Sequence, residues 1–236
     1  MKLETIIFIY FCLFILSLSI LFIKKRENFC KLENNLDVSI KKTNKKWAVL
    51  LTTAIDLHDH LERKKIYEKQ IDRWIKETDL DIFVIESTNK GFNDIPKNQR
   101  LKIITLDIPK NQSSSQSECQ SIIQGLKQIP KEYNYIFKVT GRYFLKDLHK
   151  YLKDIPDADI YLQKLHCNDE NKWQNTEYFG IKRSLLEKML KKIEKIGLME
   201  NNIYDFVKNN NLKFYKMEPF LNDIRRGGDS QLLNPL

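Results

Sequence analysis

Residues 47–86 read WAVLLTTAIDLHDHLERKKIYEKQIDRWIKETDLDIFVIE, and this stretch sets the fold class. Trp47–Thr53 is a short apolar run suited to a buried strand. Leu57, Leu61, Ile71, Trp74 and Ile75 then recur with roughly helical spacing among charged residues, which predicts a helix over about 57–77. Asp81–Glu86 reads as a second buried strand. Strand, helix and strand in this order imply a parallel sheet covered by helices.

The alternation continues outward. Leu101–Leu106 reads as a third strand, and Pro109 with the polar run 111–117 forms a loop. Ser115 and Glu118 have capping-box spacing. They predict the start of a helix that buries Cys119, Ile122, Ile123, Leu126 and Ile129 and ends at Pro130. Tyr133–Val139 is a further strand, closed by Thr140-Gly141-Arg142, and Leu145–Leu152 is a short helix. Asp159–Gln163 and Glu177–Ile181 read as strands, Ser184–Ile196 as a helix, and Leu212–Met217 as a last strand. The prediction is a mainly parallel sheet with helices on both faces.

Ahead of this domain stands Ile6–Ile23, IIFIYFCLFILSLSILFI, without charge, proline or glycine. As a helix it is about 27 Å long, close to the roughly 30 Å hydrocarbon core of a bilayer. It stops at Lys24-Lys25-Arg26 with no small-residue cleavage site, which favours an uncleaved anchor over a signal peptide. Residues 24–46 carry eight Lys or Arg against three Asp or Glu, so this spacer holds +5 of the chain's +9. It reads as a basic juxtamembrane tether, drawn to anionic head groups or simply solvated. The expected organisation is an anchor over 1–23, the spacer over 24–46 and one α/β domain over 47–236. The positive charge after the apolar run places the domain on the cytosolic face. The sequon Asn111-Gln112-Ser113 would be used only in a lumen, so the side stays open. The basic residues form no long patch interleaved with aromatics, which argues against a nucleic-acid partner. Cys12, Cys30, Cys119 and Cys167 are widely spaced and form no Cys-x-x-Cys zinc pattern.

Open α/β sheets bind ligands outside the carboxyl ends of their strands. Three polar groups fall at such ends: Thr52-Thr53-Ala54-Ile55-Asp56, Glu86-Ser87-Thr88-Asn89, and Lys138-Val139-Thr140-Gly141-Arg142-Tyr143. In the third, Gly141 allows close backbone approach. Lys138 and Arg142 face a diphosphate and Tyr143 stacks on a base or sugar. The bland alternative is a turn with both cations solvated. A second cluster, His166 and then Trp173-Gln174-Asn175-Thr176-Glu177-Tyr178, supplies an indole, two amides, a carboxylate and a phenol suited to sugars. Glu177 is the candidate general base there, with a surface carboxylate as the alternative. His58 and His60 lack further ligands nearby in sequence and read as surface or capping residues. No dinucleotide fingerprint, phosphate loop, nucleophile elbow or zinc-protease motif is present, which removes support for kinase-like and hydrolase readings.

The runs Tyr135–Leu145, Asp159–Lys164 and Trp173–Gly180 resemble divergent glycosyltransferase-like proteins of large DNA viruses and microbial surface-polysaccharide genes. The likeness covers roughly residues 47–230 and is specific only in those runs. It implies a GT-A-like three-layer α/β sandwich with a mainly parallel mixed sheet, here preceded by one transmembrane helix. It also implies a nucleotide-sugar donor and a glycan or lipid-linked acceptor. The donor side would comprise Thr53, Asp56, Glu86, Ser87, Lys138, Thr140, Gly141, Arg142, Tyr143, Arg225 and Arg226. The acceptor side would comprise His166, Trp173, Gln174, Asn175 and Tyr178, with Glu177 as base. Many members carry an Asp-x-Asp metal motif where Lys138–Arg142 stand, and here those positions are basic or neutral. A divalent metal therefore stays open as a cofactor, with Lys138, Arg142, Arg225 and Arg226 as the alternative means of neutralising a diphosphate. Asp157-Ala158-Asp159 fits the motif literally but precedes a strand. The competing function is a non-catalytic tethered binder of nucleotide sugar or glycan.

Overall fold

The apolar runs become strands: β1 (Trp47–Thr53), β2 (Asp81–Glu86), β3 (Leu101–Thr105), β4 (Tyr135–Thr140), β5 (Ile160–Leu162), β6 (Tyr178–Lys182) and β7 (Phe214–Lys216). The computed structural model describes residues 14–17, 19, 45–55, 60–92, 94–109, 113–163, 174–196, 199–217, 220, 224–225 and 232–233. The seven strands form one sheet in the order β3-β2-β1-β4-β6-β5-β7. β1 pairs in parallel with β2 and β4, and β2 with β3. β6 runs antiparallel to both of its neighbours, and β5 and β7 are again parallel. The sheet is thus mixed and mainly parallel, as the alternation of elements predicts. A separate antiparallel pair joins β8 (Ile224–Arg225) to β9 (Leu232–Leu233).

Five helices accompany the sheet among the described residues of 45–236: α1 (His60–Glu77), α2 (Ser114–Leu126), α3 (Leu148–Asp154), α4 (Arg183–Ile196) and α5 (Met199–Asn209). Side-chain alternation assigns the two faces. Val49, Leu51, Val84, Phe137, Val139 and Tyr178 pack with Ile71 and Trp74 of α1 and Leu148 and Leu152 of α3. The opposite face lies under α2 and α4, which contact β1, β2, β4 and β6 and pack with α5. Both faces are dry, which is why the central strands read as continuous apolar runs rather than alternating ones. Trp74 shows the quality of the packing: it is fully buried, sits edge-on to Phe144 at 5.0 Å, and donates its indole N–H to the Tyr143 carbonyl at 3.1 Å.

Two local expectations are corrected. The N-cap of α2 is Ser113, paired reciprocally with Gln116, instead of Ser115 with Glu118. The shift of two residues leaves the Glu118 carboxylate available for a partner on the sheet. α5 occupies a segment in which the sequence analysis assigns no element, although Met199, Ile203, Phe206 and Val207 form a helical stripe that the fold buries.

The chain enters the sheet at the edge where the parallel strands begin. There the Lys45 ammonium donates to the Ile155 and Pro156 carbonyls at 2.7 and 2.8 Å, and Lys46 pairs with Glu132. Of the apolar run 6–23, only residues 14–17 and 19 are described, and they are helical. Ser17 and Ser19 donate their hydroxyls to the Phe14 and Ile15 carbonyls at 2.8 and 2.9 Å. Among the described residues no helix is long and apolar enough to cross a membrane.

Candidate functional site

The polar groups predicted at strand ends do meet along one edge. Thr53 lies beside Glu86, and Thr52 beside Thr140. The Thr140 N–H donates to the Glu177 carbonyl at 2.7 Å, because antiparallel β6 begins where β4 ends. The exits of β2, β1 and β4 and the entry of β6 therefore form a row about 14 Å wide, three strand spacings.

Several of these residues build the edge rather than face a ligand. Glu86 is fully buried. Its carboxylate accepts from the backbone N–H groups of Ile55, Thr88 and Lys90 at 3.0–3.1 Å and from the Thr88 hydroxyl at 2.5 Å. It ties the loop after β1 to the loop after β2. The Thr53 hydroxyl donates to the Ile85 carbonyl, and Ser87 donates both its N–H and its hydroxyl to the Thr53 carbonyl. Gly141 donates its N–H to the Thr52 carbonyl at 2.8 Å, and a β-carbon on it would stand 2.4 Å from the Thr53 methyl. Glycine is required there by close approach of β4 to β1.

Lys138 corrects the sequence reading most sharply. Its side chain is 1 % exposed and its three donors are spent. They meet the Glu118 carboxylate at 2.8 Å, the Thr176 carbonyl at 2.6 Å and the Thr140 hydroxyl at 3.2 Å. The Thr52 hydroxyl donates to the same Glu118 oxygen at 2.7 Å. Burial alone raises the Glu118 carboxyl, but the charge and hydrogen bond of Lys138, the Thr52 hydroxyl and the charge of Arg142 outweigh it. The net effect holds Glu118 below the usual carboxylate range. Lys138 is thus an internal cation that positions β4, α2 and the entry to β6.

Two aromatic assignments change as well. Tyr143 is buried in the core, with the Arg142 guanidinium over its ring at 5.1 Å. Tyr178 is fully buried and stacked on Phe137, and its hydroxyl accepts from the Phe220 N–H at 2.9 Å. Burial pushes its phenol up to about 12, against the lowering effect of that hydrogen bond. Neither ring is placed to stack on a ligand, because each strand-end aromatic turns toward the core face.

The rest of the edge is chemically polarised. Arg142 is half-buried and shares a cleft of about 130 Å³ with Arg63, Ile66 and Tyr67 of α1. On the β6 side, one carboxylate oxygen of Glu177, one of Glu200 and the amide oxygen of Gln174 are buried without a hydrogen-bond partner among the described residues. Gln174 is fully buried and donates its amide N–H to the Asn175 carbonyl at 2.9 Å. Glu200 is tied to this group through the Thr176 hydroxyl at 3.1 Å. Orphaned acceptors on one side and guanidiniums on the other suit a ligand with hydroxyl donors at one end and an anion at the other. Asp56, His166, Trp173 and Arg226 lie outside the described residues, and Arg225 is described only as backbone of β8.

Arg63, Glu118 and Glu200 are absent from the sequence-derived site. Arg63, Ile66 and Tyr67 have the i, i+3, i+4 spacing of one helical face, which is the signal that would have joined Arg63 to the site.

Among the described residues nothing assembles the carboxylate set that the divalent metal left open by the GT-A resemblance would need. The β4 exit offers no carboxylate, and among the described residues no group of three or more His, Cys, Asp or Glu is placed to hold a metal ion. Asp157 and Asp159 stand at the opposite edge, where Asp157 accepts from the Tyr135 hydroxyl at 3.0 Å and Asp159 pairs with Lys182 at 2.7 Å. A second cavity, of about 450 Å³ between α3, Tyr215 and Phe220, contains none of the predicted site residues.

No protein-family model matches the chain, and no curated protein matches it in sequence. Among solved structures it is similar to 4-diphosphocytidyl-2C-methyl-D-erythritol synthase from Anaerococcus prevotii DSM 20548. That similarity has a TM-score of 0.50 at 11% identity, over 74% of this chain and 87% of that one. It is also similar to the mannosyltransferase PcManGT from Pyrobaculum calidifontis, solved in complex with GDP-Man and Mn2+. Here the TM-score is 0.51 at 12% identity, over 84% of this chain and 62% of that one. At these identities the likeness establishes the fold alone: a GT-A-like α/β architecture with a mixed, mainly parallel sheet.

Proposed function

We propose, with a GT-A-like fold as the premise, that this chain is a membrane-anchored glycosyltransferase that moves a sugar from a nucleotide-sugar donor to a glycan or lipid-linked acceptor. One observation carries the reading. The β4 exit presents Arg142, and the adjacent entry to β6 presents Glu177 with a buried, unpartnered carboxylate oxygen. The fold shared with a mannosyltransferase solved with GDP-Man supports it.

In this mechanism the acceptor hydroxyl gives its proton to the free Glu177 oxygen and attacks the anomeric carbon of the donor. The bond from that carbon to the diphosphate oxygen breaks, and its electron pair leaves with the diphosphate. Arg142 neutralises the charge that develops there. The Lys138–Glu118 pair holds the edge in register and takes no part in proton transfer.

The anchor is residues 6–23. The helical conformation at 14–17 and 19, with Ser17 and Ser19 satisfied by their own helix, supports that reading, since hydroxyls in hydrocarbon need internal partners. The charge bias of the flanks favours the cytosolic face, and use of the sequon Asn111-Gln112-Ser113 would instead mark a lumenal domain.

The test is release of nucleoside diphosphate by the full-length chain over a panel of nucleotide sugars with glycan and lipid-linked acceptors. Turnover of at least one donor is the expected result. Donor binding without turnover would establish the non-catalytic binder, and neither binding nor turnover by folded protein would end both readings.

A further inference from the structure

A general base works only if its carboxylate is held in one place, and the strand beside Glu177 supplies that restraint. We infer that Lys138 is a positioning residue for Glu177: from the interior it fixes the backbone that carries the base. The role of Glu177 as base rests on the proposed function. The restraint itself rests on geometry.

Glu177 stands between two peptide groups, and β4 binds the carbonyl of each. The Lys138 ammonium donates to the Thr176 carbonyl at 2.6 Å. The Thr140 N–H donates to the Glu177 carbonyl at 2.7 Å. These two peptide planes set φ and ψ of residue 177, since each soft backbone dihedral is the rotation of one plane about the α-carbon. With both planes tied, the direction of the bond from α-carbon to β-carbon is fixed, and the carboxylate keeps only its side-chain torsions. A third tie comes from α5, where Glu200 accepts from the Thr176 hydroxyl at 3.1 Å.

The position of these bonds in the sheet explains why a side chain is needed. The Cα pairing of β4 with β6 ends at Val139 and Tyr178. Glu177 lies one residue beyond the ladder, and the Thr140 N–H and the Lys138 ammonium carry the restraint across. A hydrogen bond from an ionised donor is roughly twice as strong as a neutral one. The donor is itself immobilised. The Lys138 side chain is 1% exposed, and its ammonium also meets the Glu118 carboxylate at 2.8 Å and the Thr140 hydroxyl at 3.2 Å. Glu118 accepts from the Thr52 hydroxyl at 2.7 Å, so α2 and β1 brace the lysine from behind. Lys138 therefore acts on the transfer step through Glu177, without touching a substrate. Displacing a reacting group by about 1 Å costs on the order of 10²-fold in rate, which sets the scale of the expected effect.

The experiment is a double-mutant cycle in sugar transfer by the full-length chain, run below the melting temperature of every variant. Lys138→Met is combined with Glu118→Gln, so that no uncompensated charge is left inside and the protein folds. This pair variant is expected to lose roughly 10- to 10²-fold in kcat, with donor KM within a few-fold of wild type. In a Glu177→Gln background the same pair of changes should cost no more than about two- to threefold further, because the group being positioned is already gone. A general structural role would cost the same factor in both backgrounds, and that result would overturn the inference. Hydrogen exchange gives a readout independent of activity. Peptides covering 174–178 should exchange faster in the pair variant while those of β1 and β2 keep their protection. Unchanged exchange at 174–178 would also overturn it. If Glu177→Gln loses transfer and the pair variant matches wild type in kcat, the positioning role falls and the transferase reading stands. If wild type turns over no donor, the transferase reading falls, and the exchange result alone decides whether Lys138 holds the segment.

Discussion

Glu177→Gln is expected to reduce sugar transfer by roughly 10²- to 10⁴-fold, the usual contribution of a positioned general base. Donor affinity should stay within a few-fold of wild type. The substitution is nearly isosteric, and the backbone carbonyl of residue 177 keeps its hydrogen bond from the Thr140 N–H. Only the ability to accept a proton at the buried oxygen is removed. The loss should appear in kcat, with KM for the donor little changed, because the interaction is made with the acceptor proton in the transition state. A kcat equal to wild type would remove Glu177 from the chemistry. It would then direct attention to Glu200, which also keeps an unpartnered buried oxygen.

The second large effect is on stability. Lys138→Met removes the partner of Glu118 and strands the Thr176 carbonyl in the interior. Breaking a buried ion pair from one side costs roughly 3–5 kcal/mol, since the remaining charge is uncompensated. About a quarter of the Glu118 side chain is exposed, so the lower end, about 3 kcal/mol, is expected. Adding Glu118→Gln should recover part of that loss, and the double-mutant cycle by urea unfolding isolates the coupling. The pH dependence follows from the sign of the shift. Glu118 has a lower pKa folded than unfolded, so its contribution is complete above the unfolded value of about 4.3. It is lost as pH falls through the folded value. Wild type should therefore lose this increment in acid, and Lys138→Met should lack it already at neutral pH. Equal stability of Lys138→Met and wild type at pH 7 would show that the pair contributes nothing.

The fold was legible because each central strand is buried on both faces and reads as an unbroken apolar run, Trp47–Thr53 above all. The short edge strands and α5 were harder. α5 carries Asn201, Asn202 and Asn209, whose weak helix propensity hides the stripe formed by Met199, Ile203, Phe206 and Val207. In the serine run 113–115 two capping registers are available, and the one that forms joins Ser113 to Gln116. The site was legible as a place more than as a set of roles. The polar strand ends do meet along one edge, because topology alone brings them together. Roles depend on partners remote in sequence. Lys138 reads as a rim cation until Glu118, twenty residues earlier on a different element, is seen beside it. Tyr178 reads as a sugar platform until Phe137 and Phe220 enclose it. Arg63 reads as one more charge on an amphipathic helix until the cleft that it lines together with Arg142 is seen.

The proposed function makes the carboxyl edge of β1 and β4 a nucleotide-sugar site flanked by Glu177. The most direct measurement is an experimental structure of the full-length chain soaked with a nucleoside diphosphate. The account predicts the diphosphate over the Gly141 turn, within hydrogen-bonding distance of the Arg142 guanidinium, with its terminal phosphate directed toward Glu177. A nucleotide seated instead in the cavity lined by Tyr151, Tyr215 and Phe220, with the β1–β4 edge untouched, would contradict it.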